Sequence, residues 1–420
     1  MDLLRTFFAG LIRTGSLEVR TAAGRSFCVG DGSGERPAIQ FNDRRAETLF
    51  MIDPELRFGE LFMDGRIDVT AGSLYDVVAL ASENLADASP GLGSGGSGWV
   101  RLLQEGRAAL RRIGRANDAL RARRNVAHHY DIDPRIYQLF LDSDLQYSCA
   151  YFEREGGDLD DAQLAKKRHI AAKLAISPGQ SVLDIGSGFG GLANYLARYC
   201  GASVTGLTLS KEQFDISRRR AARLGPLAAD FRMLDYREIE GRFDRVVSVG
   251  MFEHVGLANY AAYFRRIAQL LDEHGVALVH TIGRAPGPAA TNPWLTRYIF
   301  PGGYLPALSE MAPAIEQSGL FVTDLEVLRL HYAQTLKAWR ARFLAHREEA
   351  KAIYDERFCR MWELYLAGCE ASFRYEGLVV FQIQLARRQD ALPLTRDYIA
   401  RAEAALRRRE ASSTLSEAGE

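Results

Sequence analysis

Cysteine is sparse in this chain and sits in no recognisable pattern. Five occur in 420 residues, at Cys28, Cys149, Cys200, Cys359 and Cys369. The number is odd and no C-x-x-C or C-x-x-H spacing appears, so neither a disulfide framework nor a zinc site is expected. That fits a reducing cytoplasm. No apolar run reaches ~18 residues, so no bilayer-spanning segment is expected. The opening from Leu3 to Ile12 does not read as a secretory leader: its apolar run is short, interrupted by Arg5, and lacks a cleavage site. It reads as an amphipathic helix with Leu3, Leu4, Phe7, Phe8, Leu11 and Ile12 inward. Net charge is absent too. The 53 basic and 53 acidic residues cancel, so overall charge argues neither for nor against a polyanionic partner.

What is present describes a soluble globular protein, with 47% hydrophobic and 25% charged residues. The length predicts two domains. Residues 1–88 read as a small α+β unit, with strands at Ser16–Arg20 and Phe27–Val29 and helices at Ile52–Met63 and Ser73–Asn84. Residues 89–124 read as a Gly/Ser-rich linker and an arginine-rich helix, either a solvated face or an anion-facing surface. From Asn125 to about 395 strands and helices alternate, which predicts a mostly parallel sheet with helices on both faces. Residues 396–420 read as a charged tail, expected to fray from Ala402 to Glu420.

The chain is organised around Ser181-Val-Leu-Asp-Ile-Gly-Ser-Gly-Phe-Gly-Gly191. A buried strand ends at Ile185, turns through Gly186, Gly188 and Gly190, and enters a helix. Glycines there let backbone approach a ligand beside a helix N-terminus. Asp184 precedes the first glycine by two residues, where it can orient the loop and a cationic ligand. Where a dinucleotide site would place a carboxylate for ribose, the chain reads Val204-Thr-Gly-Leu-Thr-Leu-Ser210. Asp-x-Gly-x-Gly after a strand instead points to an S-adenosylmethionine (SAM) site.

Ligands of open α/β sheets sit beyond the carboxyl ends of the strands. Thr208, Leu209 and Gln213 follow the second strand, Asp235 and Tyr236 the third, Gly250-Met-Phe-Glu-His254 the fourth and His280 the fifth. Tyr147, Ser148 and Cys149 precede the sheet, and Tyr332 follows it. Glu253, His280, Tyr332 and Cys149 converge on one pocket if that fold forms. Glu253, His280 and Tyr332 also have structural readings: a helix-start carboxylate, a satisfied structural histidine and a core tyrosine.

Several of these stretches, in order, resemble the cyclopropane-fatty-acyl-phospholipid synthase family, which includes the mycolic acid cyclopropane synthases. They are Tyr147-Ser-Cys-Ala-Tyr-Phe-Glu153, Leu183-Asp-Ile-Gly-Ser-Gly-Phe-Gly190, Gly206-Leu-Thr-Leu-Ser-Lys-Glu-Gln213, Ser248-Val-Gly-Met-Phe-Glu-His-Val-Gly256 and His280-Thr-Ile-Gly283. The stretches Asn292–Pro306 and Met361–Phe373 match it as well. The resemblance implies a Rossmann-like class I SAM-dependent methyltransferase domain behind a small α+β domain. It implies methyl transfer to a cis double bond of a phospholipid acyl chain, then loss of a proton to close a cyclopropane ring. Bound bicarbonate is the implied base, cradled by Cys149, Glu253, His280, the Ile282 backbone and Tyr332.

By the same resemblance, the SAM contacts are Tyr147, Ser148, Gly186, Gly188, Thr208, Leu209, Gln213, Asp235 and Tyr236, alongside Asp184 and Gly190 of the loop. Cys369 lies in a shared helix motif. Ring closure needs no covalent enzyme intermediate and no basic residue flanks Cys369, so it reads as a core cysteine ahead of a nucleophile. The implied setting is the cytoplasmic face of a phospholipid bilayer with unsaturated chains. A homodimer is possible and no nucleic acid is involved. Trp294–Tyr304 is expected as an aromatic loop at the pocket mouth, facing the lipid edge. Three other outcomes stay open: a branched methyl or methylene product, a small-molecule methyltransferase, and a non-catalytic lipid-binding protein.

Overall fold

The structure is a computed structural model that describes residues 3–87 and 132–417. The linker, the arginine-rich run to Arg124 and the expected domain start at Asn125 lie outside the described residues. The chain divides into two compact units. One takes the described residues up to 87 together with 289–301 and 332–378. The other takes 132–288, 302–331 and 379–417. Each unit gathers segments far apart in sequence, which a linear division at residue 88 does not express.

The first unit has a four-stranded sheet in the order β2-β1-β3-β4, from Ser16–Arg20 (β1), Ser26–Gly30 (β2), Ala38–Phe41 (β3) and Ile67–Ala71 (β4). The opening helix, Leu3–Leu11, turns Leu4 and Phe8 into its core, while Leu3 points out, 71% exposed. The helix expected at Ile52–Met63 runs from Pro54 to Met63, and another, Arg44–Ile52, precedes it. Asp43 caps Arg44–Ile52 by accepting from Ala46 N–H at 2.9 Å. Pro54 then opens Pro54–Met63, because it cannot donate into a continuing helix.

The expected lipid-edge loop is corrected by this unit. Pro293–Tyr298 is a helix, and Trp294 is buried with its indole N–H on the Met63 sulfur at 3.2 Å. Tyr298 donates its hydroxyl to Glu60 at 2.9 Å. Gly59 makes room for the indole: a Cβ there would lie 2.4 Å from the ring.

The second unit carries a seven-stranded sheet in the order β10-β11-β9-β8-β5-β6-β7. Its strands are Ser181–Ile185 (β5), Ser203–Thr208 (β6), Asp230–Met233 (β7), Phe243–Val249 (β8), Leu271–Arg284 (β9), Phe321–Leu328 (β10) and Leu378–Ala386 (β11). The pairs β5–β6, β6–β7, β5–β8 and β8–β9 are parallel, while β10–β11 is antiparallel. Alternation sends Leu183, Val246, Ala277 and Val279 into one core. Val182, Val247 and Leu278 face the other. The chain leaves β5 toward β6 and β7, then returns to β8 on its other side. This reversal opens a crevice at the carboxyl ends of the strands, where ligands of such sheets bind.

The expected fraying tail is also corrected. Asp397–Glu417 is a helix with Leu406 and Glu410 buried. Arg168 and Tyr195 both donate to Glu410, so charge in this stretch faces inward to partners. Tyr304, expected at the lipid edge, is buried and donates to Glu310 at 2.7 Å. Among the described residues no helix is long and apolar enough to cross a membrane.

Candidate active site

The site is built outward from β5. The Gly186 and Ser187 N–H groups donate to the Leu207 carbonyl at 3.0 and 2.8 Å, tying the glycine loop to β6. Gly186 has φ 82°, and a Cβ there would press on Met251 at 3.1 Å. Gly190, φ 83°, caps the helix Gly191–Cys200, and a Cβ would fall 2.6 Å from the Phe231 ring. Both positions need the left-handed backbone that glycine adopts without strain.

A cavity of about 220 Å³ lies over this loop. Tyr147, Ser148, Asp184, Gly186, Gly188, Thr208, Leu209, Gln213, Asp235 and Tyr236 all line it. Gly190 does not; it sits below, turning the chain. Behind Ser148 stands the helix Leu159–Lys173. Its Gln163 donates to the Gln146 and Ser148 carbonyls at 3.2 and 3.0 Å, and its Lys166 Nζ donates to Ser148 Oγ at 2.8 Å. Thr208 Oγ1 donates to Gln213 Oε1 at 3.0 Å, so the Gln213 amide nitrogen is left for other partners. Asp235 is clamped by Arg237, at 2.8 Å from Nε and 2.5 Å from the terminal nitrogen.

Asp184 is buried, and its Oδ2 has no hydrogen-bond partner. Burial pushes its carboxyl up to about 7, against the opposing pull of buried Lys166. A cation entering the cavity would favour the ionised form and give Oδ2 the partner it lacks.

The remaining wall includes Phe189, Leu234, Met251, His254 and Asn259. No local sequence pattern marks these as site residues. Met251 and His254 were within view, since they flank Glu253 after β8, but an apolar residue in a motif reads as core. Burial pushes His254 down to about 4, so its imidazole is neutral at physiological pH.

A second group lies at the ends of β8 and β9. Glu253 occupies the short 3-10 turn Phe252–His254, and its Oε1 accepts the Ile282 N–H at 2.7 Å. Its Oε2 is buried without a partner. Burial raises the carboxyl to about 7, although the Ile282 N–H pulls the other way. His280 is buried, and burial pushes it well below its ordinary value. Gln382 Nε2 stands 3.2 Å from His280 Nδ1 and donates to it as placed, which leaves the ring proton on Nε2. Gly250 N–H donates to the His280 carbonyl at 2.9 Å, so the two strand ends are one piece. Cys149 is buried, its thiol donating to the Ala150 carbonyl at 3.3 Å.

The structure therefore brings Glu253 and Ile282 into direct contact. Neither they nor Cys149 and His280 line the cavity, although their neighbours Ser148, Gly250, Met251 and His254 do. Tyr332 and Cys369 belong to the first unit. The Tyr332 ring packs on Trp339 and Phe373. The Cys369 thiol is pushed up to about 12 by burial and stays protonated at neutral pH, a poor nucleophile.

Residues 117–383 match the mycolic acid cyclopropane synthetase family. A probable fatty acid methyltransferase of Pseudomonas putida is 43% identical over 267 residues, covering 61% of this chain and 68% of that protein. The cyclopropane-fatty-acyl-phospholipid synthase of Escherichia coli K12 is 40% identical over 259 residues, covering 62% and 66%. The match thus spans about two thirds of the length of these relatives. Among solved structures, mycolic acid cyclopropane synthase CmaA1 complexed with SAH and CTAB superposes with a TM-score of 0.60 at 33% identity, covering 63% of this chain and 98% of that one. With the glycine loop, the switch-point cavity and this match together, the chain is an enzyme of the mycolic acid cyclopropane synthetase family, built on the fold of the SAM-dependent methyltransferases.

Proposed function

We propose that this enzyme transfers the methyl group of SAM to a cis double bond of an acyl chain in a membrane phospholipid and closes a cyclopropane ring. The observation that carries the reading is the buried Glu253 carboxyl, with one oxygen on the Ile282 N–H and the other without a partner. It stands two residues from Met251, which lines the cavity.

The cavity residues fit SAM. Orphaned Asp184 suits a cationic ligand, and the open face above Gly188, where a Cβ would meet nothing within 4 Å, suits close approach. When bound, SAM supplies an electrophilic methyl group. Asp184 and the glycine loop would hold and orient that ligand, and Thr208, Gln213, Asp235 and Tyr236, which line the same cavity, would contact it.

The second group fits a small anion such as bicarbonate. Below pH ~7 Glu253 is largely protonated and can donate from Oε2. His280 is neutral with its ring proton on Nε2. Cys149, Glu253, His280 and Ile282 would hold the anion, and the anion would supply a base. Burial of these groups keeps water from a cation developing on the acyl chain.

Peripheral association with the cytoplasmic face of the membrane follows from a substrate that resides in the bilayer, and a homodimer remains part of the reading. A branched methyl or methylene product is the second reading, since the relative at 43% identity is named only as a probable fatty acid methyltransferase.

The test is gas chromatography with mass spectrometry of fatty acids after incubation with SAM and vesicles of cis-unsaturated phospholipid. A gain of one CH2, with the double bond lost and no response to mild hydrogenation, is expected. A gain of one CH2 with a hydrogenatable bond would replace the ring by the branched reading. Glu253→Gln is expected to lower turnover by at least about 100-fold while SAM binding persists. Normal turnover in that variant would remove Glu253 from the chemistry.

A further inference from the structure

A second cavity, of about 390 Å³, shares Leu145 with the first. Three of its lining residues are arginines on the helix Lys211–Leu224: Arg219, Arg220 and Arg223. Helical spacing sets Ile216, Arg219, Arg220 and Arg223 on one face. Arg220 is committed to structure. It pairs with Asp144 and donates to the Asp144 and Phe189 carbonyls at 3.0 Å each, which ties the helix to the glycine loop.

Arg219 and Arg223 differ. Both are exposed, and neither makes an ion pair among the described residues. Asp215, one turn ahead of Arg219, is already held by Lys211 at 2.9 Å. Two guanidinium groups one turn apart repel each other unless an anion lies between them. Pro134, Leu145 and Ile216 supply apolar wall beside them.

We propose that this cavity seats the phosphodiester of the lipid whose acyl chain is modified, Arg219 and Arg223 clamping its oxygens. Guanidinium forks match phosphate oxygens in geometry and charge. The apolar wall suits the glycerol and first methylenes, and the shared Leu145 sets this seat directly beside the cofactor cavity. The inference rests on the acyl-lipid reading above and names where that substrate's head is held.

The test uses the full chain and a saturated, short-chain, soluble phosphatidylglycerol, which has no double bond to react. Its affinity is measured by calorimetry for the wild type and for R219Q/R223Q. At about 1 kcal/mol per basic residue, the double variant should bind roughly 30-fold more weakly, with SAM affinity unchanged. Unchanged lipid affinity would overturn the proposal. Equal binding of a matching diacylglycerol without phosphate would overturn it as well, since apolar contact would then suffice. If inorganic phosphate bound as tightly as the lipid, the cavity would be a free-anion site and the lipid assignment would fall. Because the probe cannot be methylated, failure of the ring-forming reading appears only in the turnover assay and leaves this measurement intact.

Discussion

Two helices of the second unit make opposite cases. Tyr260–Leu270 is an amphipathic helix whose Tyr263, Phe264 and Ile267 enter the core. Leu159–Lys173 reads Leu-Asp-Asp-Ala-Gln-Leu-Ala-Lys-Lys-Arg-His-Ile-Ala-Ala-Lys, the pattern of a solvated helix, yet nearly all of it is buried. Lys166 and Lys173 are wholly inaccessible. Each buried charge on it has a partner: Lys166 the Ser148 hydroxyl, Lys167 Asp144, Arg168 Glu153 and Glu410, His169 Glu326 and Glu403, Lys173 Glu326. The first helix is held by apolar area removed from water. The second is held by partners drawn from a loop, an edge strand and the final helix. Buried charge is costly unless paired, so that helix is stable only once distant segments have arrived.

The sharpest way to break the first helix is Phe264→Ala. It removes a fully buried ring and should cost about 4 kcal/mol in denaturant unfolding. A loss below about 1 kcal/mol would mean the site collapses around the gap.

On the second helix, Glu410→Ala should cost about 3 kcal/mol, because Arg168 would stay buried with only Glu153 near it. The partner loss should also raise amide exchange across Asp397–Glu417, whereas Phe264→Ala should leave exchange there largely unchanged. Equal exchange in both variants would erase the contrast between the two helices.

The smallest effect sharpens the comparison through pH. Burial alone would lower the pKa of His169, but hydrogen bonds to Glu326 and Glu403 outweigh it and raise the value above the ordinary 6.5. A raised folded pKa stabilises fully below the unfolded value and is lost as pH rises through the folded one. Exchange protection of Asp397–Glu417 should therefore fall as pH climbs from 6 past that raised value, after correction for intrinsic exchange rates. His169→Gln should flatten the dependence. An unchanged slope would assign it to groups other than His169.

How far the site could be read in advance follows the same division. Asp184, Gly186, Gly188, Thr208, Gln213 and Asp235 were legible because strand ends and glycine turns are local patterns, and all of them line the cavity. Phe189, Met251 and His254 are not legible in this way, since an apolar or single polar residue after a strand carries no local mark of what it faces. Residue type alone sets Trp294 and Tyr304 at a lipid edge. Amphipathic rings serve a boundary or an interior equally well, and the packing against Gly59 and Met63, or the bond to Glu310, decides which.

The amino-acid sequence by itself determined the strand–turn–helix at Asp184, the alternation that builds the parallel sheet, and the family motifs, because each is set by neighbours within a few residues. Tertiary structure alone decided that Pro293–Tyr298 and residues 332–378 group with the N-terminal sheet. It alone decided that a polar helix becomes interior, and that the final helix docks through Leu406 and Glu410. The physical reason is the same in each case. A buried charge or ring is stabilised by a partner far along the chain, and no local window of sequence contains both members of the pair.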